Sequence, residues 1–193
     1  MGILTHRIGR GIYESALGKK WLQGKVARIL PFLQKTDTIL DIGCGNALLT
    51  AKLRELGYET TAIDVKNLSY LPEIVPVVYG GETFPFAEKT FDKALLITVL
   101  HHTKSPENLL KETSRIAKEI IIIEDIYRNV FQQYLTYFTD TLVNQGFSNM
   151  TYQNKDDQAW RDCFEVLGLK VKSSSSRRVL LFFRQVTYYL IHT

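Results

Sequence analysis

Apolar residues follow a helical spacing near the start of the chain and a strand-like pattern soon afterwards. Between residues 22 and 33, apolar side chains recur every three or four positions, which predicts an amphipathic helix interrupted near its end by Pro31. Residues 38–42 then form a short run rich in β-branched side chains that stops at Gly43. This run predicts a first strand.

Helices and strands continue to alternate through the middle of the chain. Asn46 is a typical helix N-cap, and the leucines at positions 49, 53 and 56 share one face of the helix that it would start. Such alternation, with strands that are apolar on both faces, is typical of a mainly parallel sheet covered by helices on both sides. The further elements that the pattern predicts are strands over residues 59–64, 75–79, 91–98 and 119–125 and a helix over residues 106–117.

The C-terminal part of the chain predicts two more helices and a closing hairpin. Residues 126–145 are aromatic-rich with helical spacing, and residues 156–168 place apolar side chains on one helix face. Residues 169–174 and 179–190 predict two strands, joined by a Ser/Arg turn at 175–178. We therefore predict an α/β three-layer sandwich, with a mostly parallel seven-stranded sheet and a C-terminal antiparallel hairpin.

No linker, internal repeat or second core is visible, so we predict one domain over residues 1–193. Within it, residues 1–35 form a basic helical segment and residues 126–167 a helical insertion. Hydrophobic residues make up 45% and charged residues 23% of the chain, as in globular proteins. Two cysteines, no apolar leader and no apolar run of about 20 residues favour a reduced, cytoplasmic location.

Positive charge is concentrated at the two ends of the chain, which has a formal net charge of +4. Residues 1–35 carry seven Lys/Arg and one acid, and residues 166–193 carry five Lys/Arg and no acid. These ends could attract an anionic partner, or they could simply be solvated helix faces. No basic repeat interleaved with aromatic residues is present, so we expect no nucleic acid partner, whereas peripheral membrane contact stays open.

The ends of the first two predicted strands carry the residues that best indicate a ligand. In an open parallel sheet, ligands bind beyond the carboxyl ends of the strands. The first strand runs into Gly43-Cys44-Gly45, where glycines let the backbone turn sharply and approach a ligand. The second ends at Asp64, whose carboxylate could accept hydrogen bonds from both hydroxyls of a ribose. Together they predict an adenosine-type ligand.

The same loop argues against a dinucleotide or a nucleoside triphosphate. A dinucleotide site needs a third glycine at position 48 so that the helix can approach the pyrophosphate, and Leu48 stands there. The chain also lacks the Gly-x-x-x-x-Gly-Lys-Ser/Thr sequence of a phosphate-binding loop. The ligand is therefore expected not to be polyphosphorylated.

Four segments resemble class I S-adenosylmethionine-dependent methyltransferases. Residues 39–47 closely resemble the first motif of that family, and Asp64 is similar to its ribose-binding acid. Residues 80–92 resemble the segment that enters the fourth strand, and residues 100–103 and 106–115 resemble the stretch that follows it. All four occur in the family's order and spacing.

The resemblance covers residues 36–125 and is to the type 11-like methyltransferase domain. It implies a Rossmann-like fold, S-adenosylmethionine as cofactor and no metal. Gly80 stands where relatives often carry an acid that binds the adenine amino group. Here Glu82 or the backbone would have to make that contact. The cofactor-binding residues that the resemblance implies are Asp41, Gly43, Cys44, Gly45, Asn46, Asp64, Val65, Gly81, Glu82 and Thr98.

Methyl transfer from a sulfonium is an in-line displacement that alignment alone can accelerate. A base is needed only where the acceptor must lose a proton. The catalytic candidates are His101, His102 and Tyr127, with Glu124 and Asp125 beside them, although a structural role is favoured for each. Adjacent residues leaving a strand point in opposite directions, so we expect at most one of the two histidines to face the pocket.

An aromatic stripe in the insertion, which includes Tyr127 and Phe131, suggests a small apolar or aromatic methyl acceptor. An ordinary buried helix face would need the same stripe, so both interpretations stay open. The sequence thus predicts an S-adenosylmethionine-dependent methyltransferase of a small molecule. The alternative is a non-catalytic regulatory module that binds S-adenosylmethionine. Neither the acceptor nor the oligomeric state can be predicted.

Overall fold

A computed structural model describes residues 15–126, 155–179 and 183–193. The helices in these ranges are α1 (Ala16–Ile29), α2 (Leu48–Glu55), α3 (Pro106–Ile116) and α4 (Asp157–Val166), with 3-10 turns at Leu30–Phe32 and Leu100–His102. The strands are β1 (Thr38–Ile42), β2 (Glu59–Asp64), β3 (Val77–Val78), β4 (Phe91–Ile97), β5 (Ala117–Ile126), β6 (Leu169–Val179) and β7 (Phe183–His192).

The strands form one seven-stranded sheet in the order β3-β2-β1-β4-β5-β7-β6. Strands β1 to β5 pair in parallel, whereas β7 pairs antiparallel with both β5 and β6. This topology confirms the predicted fold class. Because β1 lies between β2 and β4, the strand order reverses there, and a ligand crevice is expected at the carboxyl ends of β1 and β4.

Side chains alternate across the sheet and create a core on each face. On β1, Leu40 packs on the side of α3 and α4, where Trp160 is fully buried. Ile39 points to the opposite side and packs with Val26 of α1 and Leu53 of α2. The sheet therefore has helices on both faces, as the apolar strands predicted.

The first helix begins earlier than residue 22. Ser15 is its N-cap, and its hydroxyl accepts a hydrogen bond from the amide of Gly18 at 3.2 Å. The α-helix stops at Ile29, and Pro31 lies in the 3-10 turn that follows. The helix was thus predicted in the right region but with a start that is too late, because hydrophobic periodicity does not mark the N-cap residue.

The predicted Ser/Arg turn at residues 175–178 is wrong. These residues belong to β6, where Ser175 pairs with Thr187 and Arg177 with Gln185. Polar side chains suit this position because β6 is an edge strand, exposed along these residues. Local composition indicated a turn, whereas pairing with β7 extends the strand.

The helical insertion cannot begin at residue 126. Ile126 is the last residue of β5 and pairs with Arg184 of β7. Residues 127–154, which hold most of the predicted aromatic helix, lie outside the described residues. No helix in the described ranges is long and apolar enough to cross a membrane.

Candidate functional site

The turn after β1 carries two glycines with left-handed backbone angles, and each is required for a different reason. Gly43 has φ 66°, and a β-carbon there would lie 2.8 Å from both methyl carbons of Val99. Gly45 has φ 52°, and a β-carbon there would meet no atom within 4 Å. Gly43 therefore permits close packing against the end of β4, whereas Gly45 borders open space in which a ligand could contact the backbone.

Asp64, the predicted ribose acid, ends β2 beside this loop. Its Oδ2 accepts a hydrogen bond from the Gly45 amide at 2.8 Å, and its Oδ1 accepts one from the Val65 amide at 2.7 Å. A carboxylate has about four acceptor positions, so hydroxyl donors can still bind it. The structure thus brings together two predicted site residues that lie nineteen positions apart.

Asp41, also a predicted cofactor residue, is buried on the α2 side of β1. Its Oδ2 accepts a hydrogen bond from the Thr50 hydroxyl at 2.6 Å. Burial raises the pKa of Asp41 to about 6, and the nearby negative charge of Asp64 adds to this shift. Asp41 thus contributes a buried acid behind the glycine loop.

Cys44 and Asn46 complete the loop. Cys44 is buried, and burial together with Asp41 and Asp64 raises the pKa of its thiol, so the group stays protonated and unreactive. The Asn46 side chain accepts a hydrogen bond from the Leu48 amide at 3.2 Å, although the N-cap position of α2 belongs to Ala47. Asn46, the predicted N-cap, therefore lies one residue before the actual N-cap and still accepts a hydrogen bond from the first residue of the helix.

On the β3 side, Val65 and Gly81 lie close together. Val65 is 45% exposed, and a β-carbon on Gly81 would lie 3.7 Å from its Cγ1. Glu82 is exposed in the same loop. Tyr79, which the sequence did not single out, donates its amide to the Asp64 carbonyl at 3.2 Å. These residues form the edge where the resemblance implies the ribose and adenine.

Thr98 lies at the end of β4 in a left-handed conformation with φ 60°. Its amide donates to the Ile123 carbonyl, and its hydroxyl accepts a hydrogen bond from Lys25 Nζ at 3.1 Å. Lys25 reaches Thr98 from α1 and is only 7% exposed. The sequence predicted that the basic residues of segment 1–35 are solvated or attract an anionic partner, and the structure corrects this for Lys25, which is buried.

Lys25 could have been found from the helical spacing. It lies three positions after Leu22 and next to Val26, on the apolar face of the helix. A charged residue on the buried face of a helix needs a reason to be there.

His101 and Glu124 form a buried pair above β5. His101 Nδ1 lies 2.5 Å from Glu124 Oε2. The other oxygen, Oε1, accepts the amides of Val99 at 2.9 Å and Leu100 at 2.7 Å. One carboxylate thus fixes both the turn after β4 and the orientation of the imidazole.

The ring of His102 lies against that of His101, with ring centroids 3.9 Å apart and ring planes inclined at 49°. Burial lowers the pKa of His102 to about 3, helped by the proximity of His101 and Lys25, so this imidazole is neutral at physiological pH. The two histidines lie in a 3-10 turn and not on a strand, so the strand alternation behind the expectation that at most one of them faces the pocket does not apply to them. Tyr127 lies outside the described residues.

A polar cluster on the α1 side of the sheet joins Arg28 of α1 to residues of β5 and β7. Arg28 Nε donates to the Thr187 hydroxyl and Nη1 to the side-chain oxygen Oε1 of Gln185, both at 2.8 Å. Asp125 interacts with Gln185, and burial raises the pKa of its carboxyl. Sequence patterns did not reveal this cluster, because its members come from α1, β5 and β7.

Residues 40–120 match the model of the methyltransferase domain family. The resemblance to class I methyltransferases is confirmed. The chain is similar to a ubiquinone biosynthesis O-methyltransferase of Xanthomonas oryzae pv. oryzae, with 32% identity over 91 residues. That alignment covers 42% of this chain and 38% of the relative, so the chain matches well under half the length of its curated relative.

Solved methyltransferase structures share the fold at low sequence identity. The 1,6-didemethyltoxoflavin-N1-methyltransferase of Burkholderia thailandensis, with bound S-adenosylhomocysteine, has a TM-score of 0.69 and 15% identity, over 99% of this chain and 85% of that one. Magnesium protoporphyrin IX methyltransferase of Synechocystis PCC 6803 has a TM-score of 0.62 and 11% identity, over 100% and 89%. S-adenosylmethionine is the cofactor that fits the family whose model residues 40–120 match.

Proposed function

We propose that this chain is an S-adenosylmethionine-dependent methyltransferase with a small-molecule acceptor. The observation that carries the proposal is the Asp64 carboxylate, held against the Gly45 amide where the strand order reverses, beside open space. A ribose-binding acid and an unobstructed backbone turn are what an adenosine cofactor needs at this edge. The methyltransferase relatives support this function over a non-catalytic binding module.

The residues around the loop would hold the cofactor in two parts. Asp64 and Val65 would contact the ribose and adenine, with Gly81 and Glu82 at the adenine edge. The loop and the end of β4 would border the amino acid part through Asp41, Gly43, Cys44, Gly45, Asn46 and Thr98. When bound, the cofactor supplies a methyl group on a positively charged sulfur.

The protein's contribution to the reaction would be mainly alignment. Because the leaving group is already activated, holding the acceptor in line with the methyl group can supply much of the acceleration. Where the acceptor must lose a proton, His101 is the candidate base, since Glu124 orients its ring and would stabilise a positive charge on it. His102 and Tyr127 remain further candidates for contact with the acceptor.

We propose that the acceptor is small and aromatic or apolar, because the sequence of the insertion carries an aromatic stripe. The O-methyltransferase relatives support a hydroxyl oxygen as the methylated atom. The polar cluster at Arg28, Asp125 and Gln185 supports an acceptor that also carries polar groups.

We also propose that residues 1–193 form one cytoplasmic domain, with residues 1–35 and 127–167 flanking the acceptor. Peripheral membrane contact through α1 is part of this proposal. Leu17 is 71% exposed, Trp21 is 37% exposed, and both are close in sequence to the exposed Lys19 and Lys20.

The test is turnover with methyl-labelled S-adenosylmethionine and a panel of small hydroxylated aromatic compounds. We expect at least one compound to be labelled, together with release of S-adenosylhomocysteine. His101→Asn should slow the reaction by about 10²- to 10⁴-fold if the acceptor must be deprotonated. Cofactor binding without turnover on any compound would favour the regulatory module instead.

A further inference from the structure

The side chain of Lys25 is a buried cation whose hydrogen-bonding capacity is mostly unused. Its ammonium group carries three N–H donors, and the Thr98 hydroxyl accepts one of them. The ammonium nitrogen also lies 3.7 Å from the ring centroid of Trp21. This is a cation–π contact with the face of the ring and not a conventional hydrogen bond. Among the described residues, no carboxylate lies within ion-pair distance of Lys25 Nζ.

Burial lowers the pKa of Lys25 to about 8, which still leaves the ammonium mostly charged at neutral pH. The nearby acids Asp125, Glu124 and Asp41 raise the pKa without contacting the ammonium group, whereas Arg28 lowers it further. His102, which also faces Lys25, is neutral at physiological pH.

Each of the three nearby acids already has another partner. Glu124 accepts two backbone amides and contacts His101, Asp41 accepts the Thr50 hydroxyl, and Asp125 interacts with Gln185. At neutral pH, Lys25 is therefore a positive charge without a contact counter-ion, and a buried charge of this kind favours an anionic ligand.

The position of Lys25 limits what that anion can be. Thr98 follows β4, which pairs with β1 so that Leu96 lies opposite Ile42. Thr98 and the glycine loop therefore leave the same edge of the sheet at neighbouring strands. A cofactor on this loop carries one carboxylate and one ammonium, both on its amino acid part. The surrounding acids suit the ammonium, and Lys25 suits the carboxylate.

We infer that Lys25 binds the carboxylate of the cofactor's amino acid part, so that α1 is a wall of the cofactor site. This inference rests on the proposed function, since it assumes that S-adenosylmethionine occupies the loop. It assigns a ligand-binding role to the N-terminal basic helix, outside the matched methyltransferase domain.

The test compares two proteins, with and without the Lys25 charge, and two ligands, with and without the carboxylate. Wild type and Lys25→Gln are titrated by calorimetry with S-adenosylhomocysteine and with its decarboxylated analogue, which keeps the adenosine, the thioether and the amine. We expect wild type to prefer S-adenosylhomocysteine by about 10- to 100-fold, the range for a hydrogen bond to a charged group. Lys25→Gln should bind both ligands about equally, and Lys25→Arg should recover part of the preference.

Controls separate this inference from the proposed function and from misfolding. Lys20→Gln, at an exposed position of the same helix, should keep the wild-type preference. Binding of the decarboxylated analogue shows that Lys25→Gln is folded. If Lys25→Gln does not fold, Lys25→Met replaces it, because methionine keeps most of the aliphatic stem, and it should also bind both ligands about equally. A Lys25 variant that retains the full preference, or a wild type without one, overturns the inference. A wild type that binds neither ligand overturns the proposed function.

Discussion

The Asp64 carboxylate accepts a hydrogen bond from the Gly45 amide at 2.8 Å, which ties the end of β2 to the loop that follows β1. This contact sets the geometry of the candidate site, because it holds a buried acid beside a backbone turn that borders open space. The same carboxylate also receives the Val65 amide, so its orientation is fixed before any ligand binds. A preorganised acceptor of this kind reduces the entropy lost on binding.

Replacing Asp64 should weaken cofactor binding. Asp64→Ala removes an acceptor for two ribose hydroxyls, and we expect the affinity for S-adenosylhomocysteine to fall by about 1 to 3 kcal/mol. Asp64→Asn should cost less, because its amide oxygen still accepts. Calorimetric titration measures both, with Asp162→Ala at an exposed position of α4 as the control. An unchanged affinity in Asp64→Ala would show that the ribose is held elsewhere.

The two loop glycines should respond differently to alanine. Gly43→Ala combines a left-handed backbone with a clash against Val99, and we expect the free energy of unfolding to fall by about 2 to 4 kcal/mol. Gly45→Ala meets no protein atom and should cost only about 1 kcal/mol, but its methyl group enters the open space and should weaken S-adenosylhomocysteine binding.

Urea unfolding and calorimetry distinguish these two effects. Val99→Ala should partly restore the stability of Gly43→Ala, since it removes the clashing methyl groups. A Gly45→Ala variant that is less stable than Gly43→Ala and keeps full ligand binding would contradict these roles of the two glycines.

Asp41 should make the protein less stable as the pH rises. Its folded pKa of about 6 lies above the unfolded value of 3.8, so between these values the folded state holds a proton that the unfolded state has lost. Stability from this group is fully present below about pH 4 and is lost as the pH rises through 6, by about 3 kcal/mol in all.

The difference in unfolding free energy between wild type and Asp41→Asn isolates this effect, because asparagine can still accept the Thr50 hydroxyl. Relative to wild type, Asp41→Asn should gain stability between pH 4 and pH 7. A difference that does not change with pH would mean that Asp41 is not a destabilised buried acid.

Membrane contact by α1 should depend on its exposed lysines. If the helix docks on anionic lipid, the protein should sediment with acidic vesicles at low salt, and Lys19→Gln with Lys20→Gln should remove most of the binding, at about 1 kcal/mol per charge. Lys25→Gln is the matched control, because Lys25 is buried and should contribute little. Without sedimentation of wild type at low salt, α1 has no membrane role.

The glycine loop after β1 and the sheet were predictable because their signals are local. The run from residue 39 to 47 contains a strand, two glycines and a helix start, and Asp64 ends the next strand. Since parallel strands end at the same edge, proximity of these residues follows from the fold class alone.

The polar residues behind the loop were less predictable because their partners are distant in sequence. Glu124 was a candidate for chemistry, but its hydrogen bonds to two backbone amides depend on how the turn after β4 is folded. Lys25 was grouped with surface charges, since net charge along a segment does not show which side chain turns inward. The Ser/Arg turn failed for the opposite reason, because residues of low strand propensity were held in β6 by pairing with β7.

The most direct measurement is a calorimetric titration of the wild-type protein with S-adenosylhomocysteine and, separately, with NAD. Leu48 stands where a dinucleotide site needs a third glycine, whereas the adenosine cofactor that we propose at Asp64 and Gly45 carries no pyrophosphate. We predict saturable binding of S-adenosylhomocysteine at one site per chain and no binding of NAD. Binding of NAD with none of S-adenosylhomocysteine would contradict the assignment of this site to a methyltransferase.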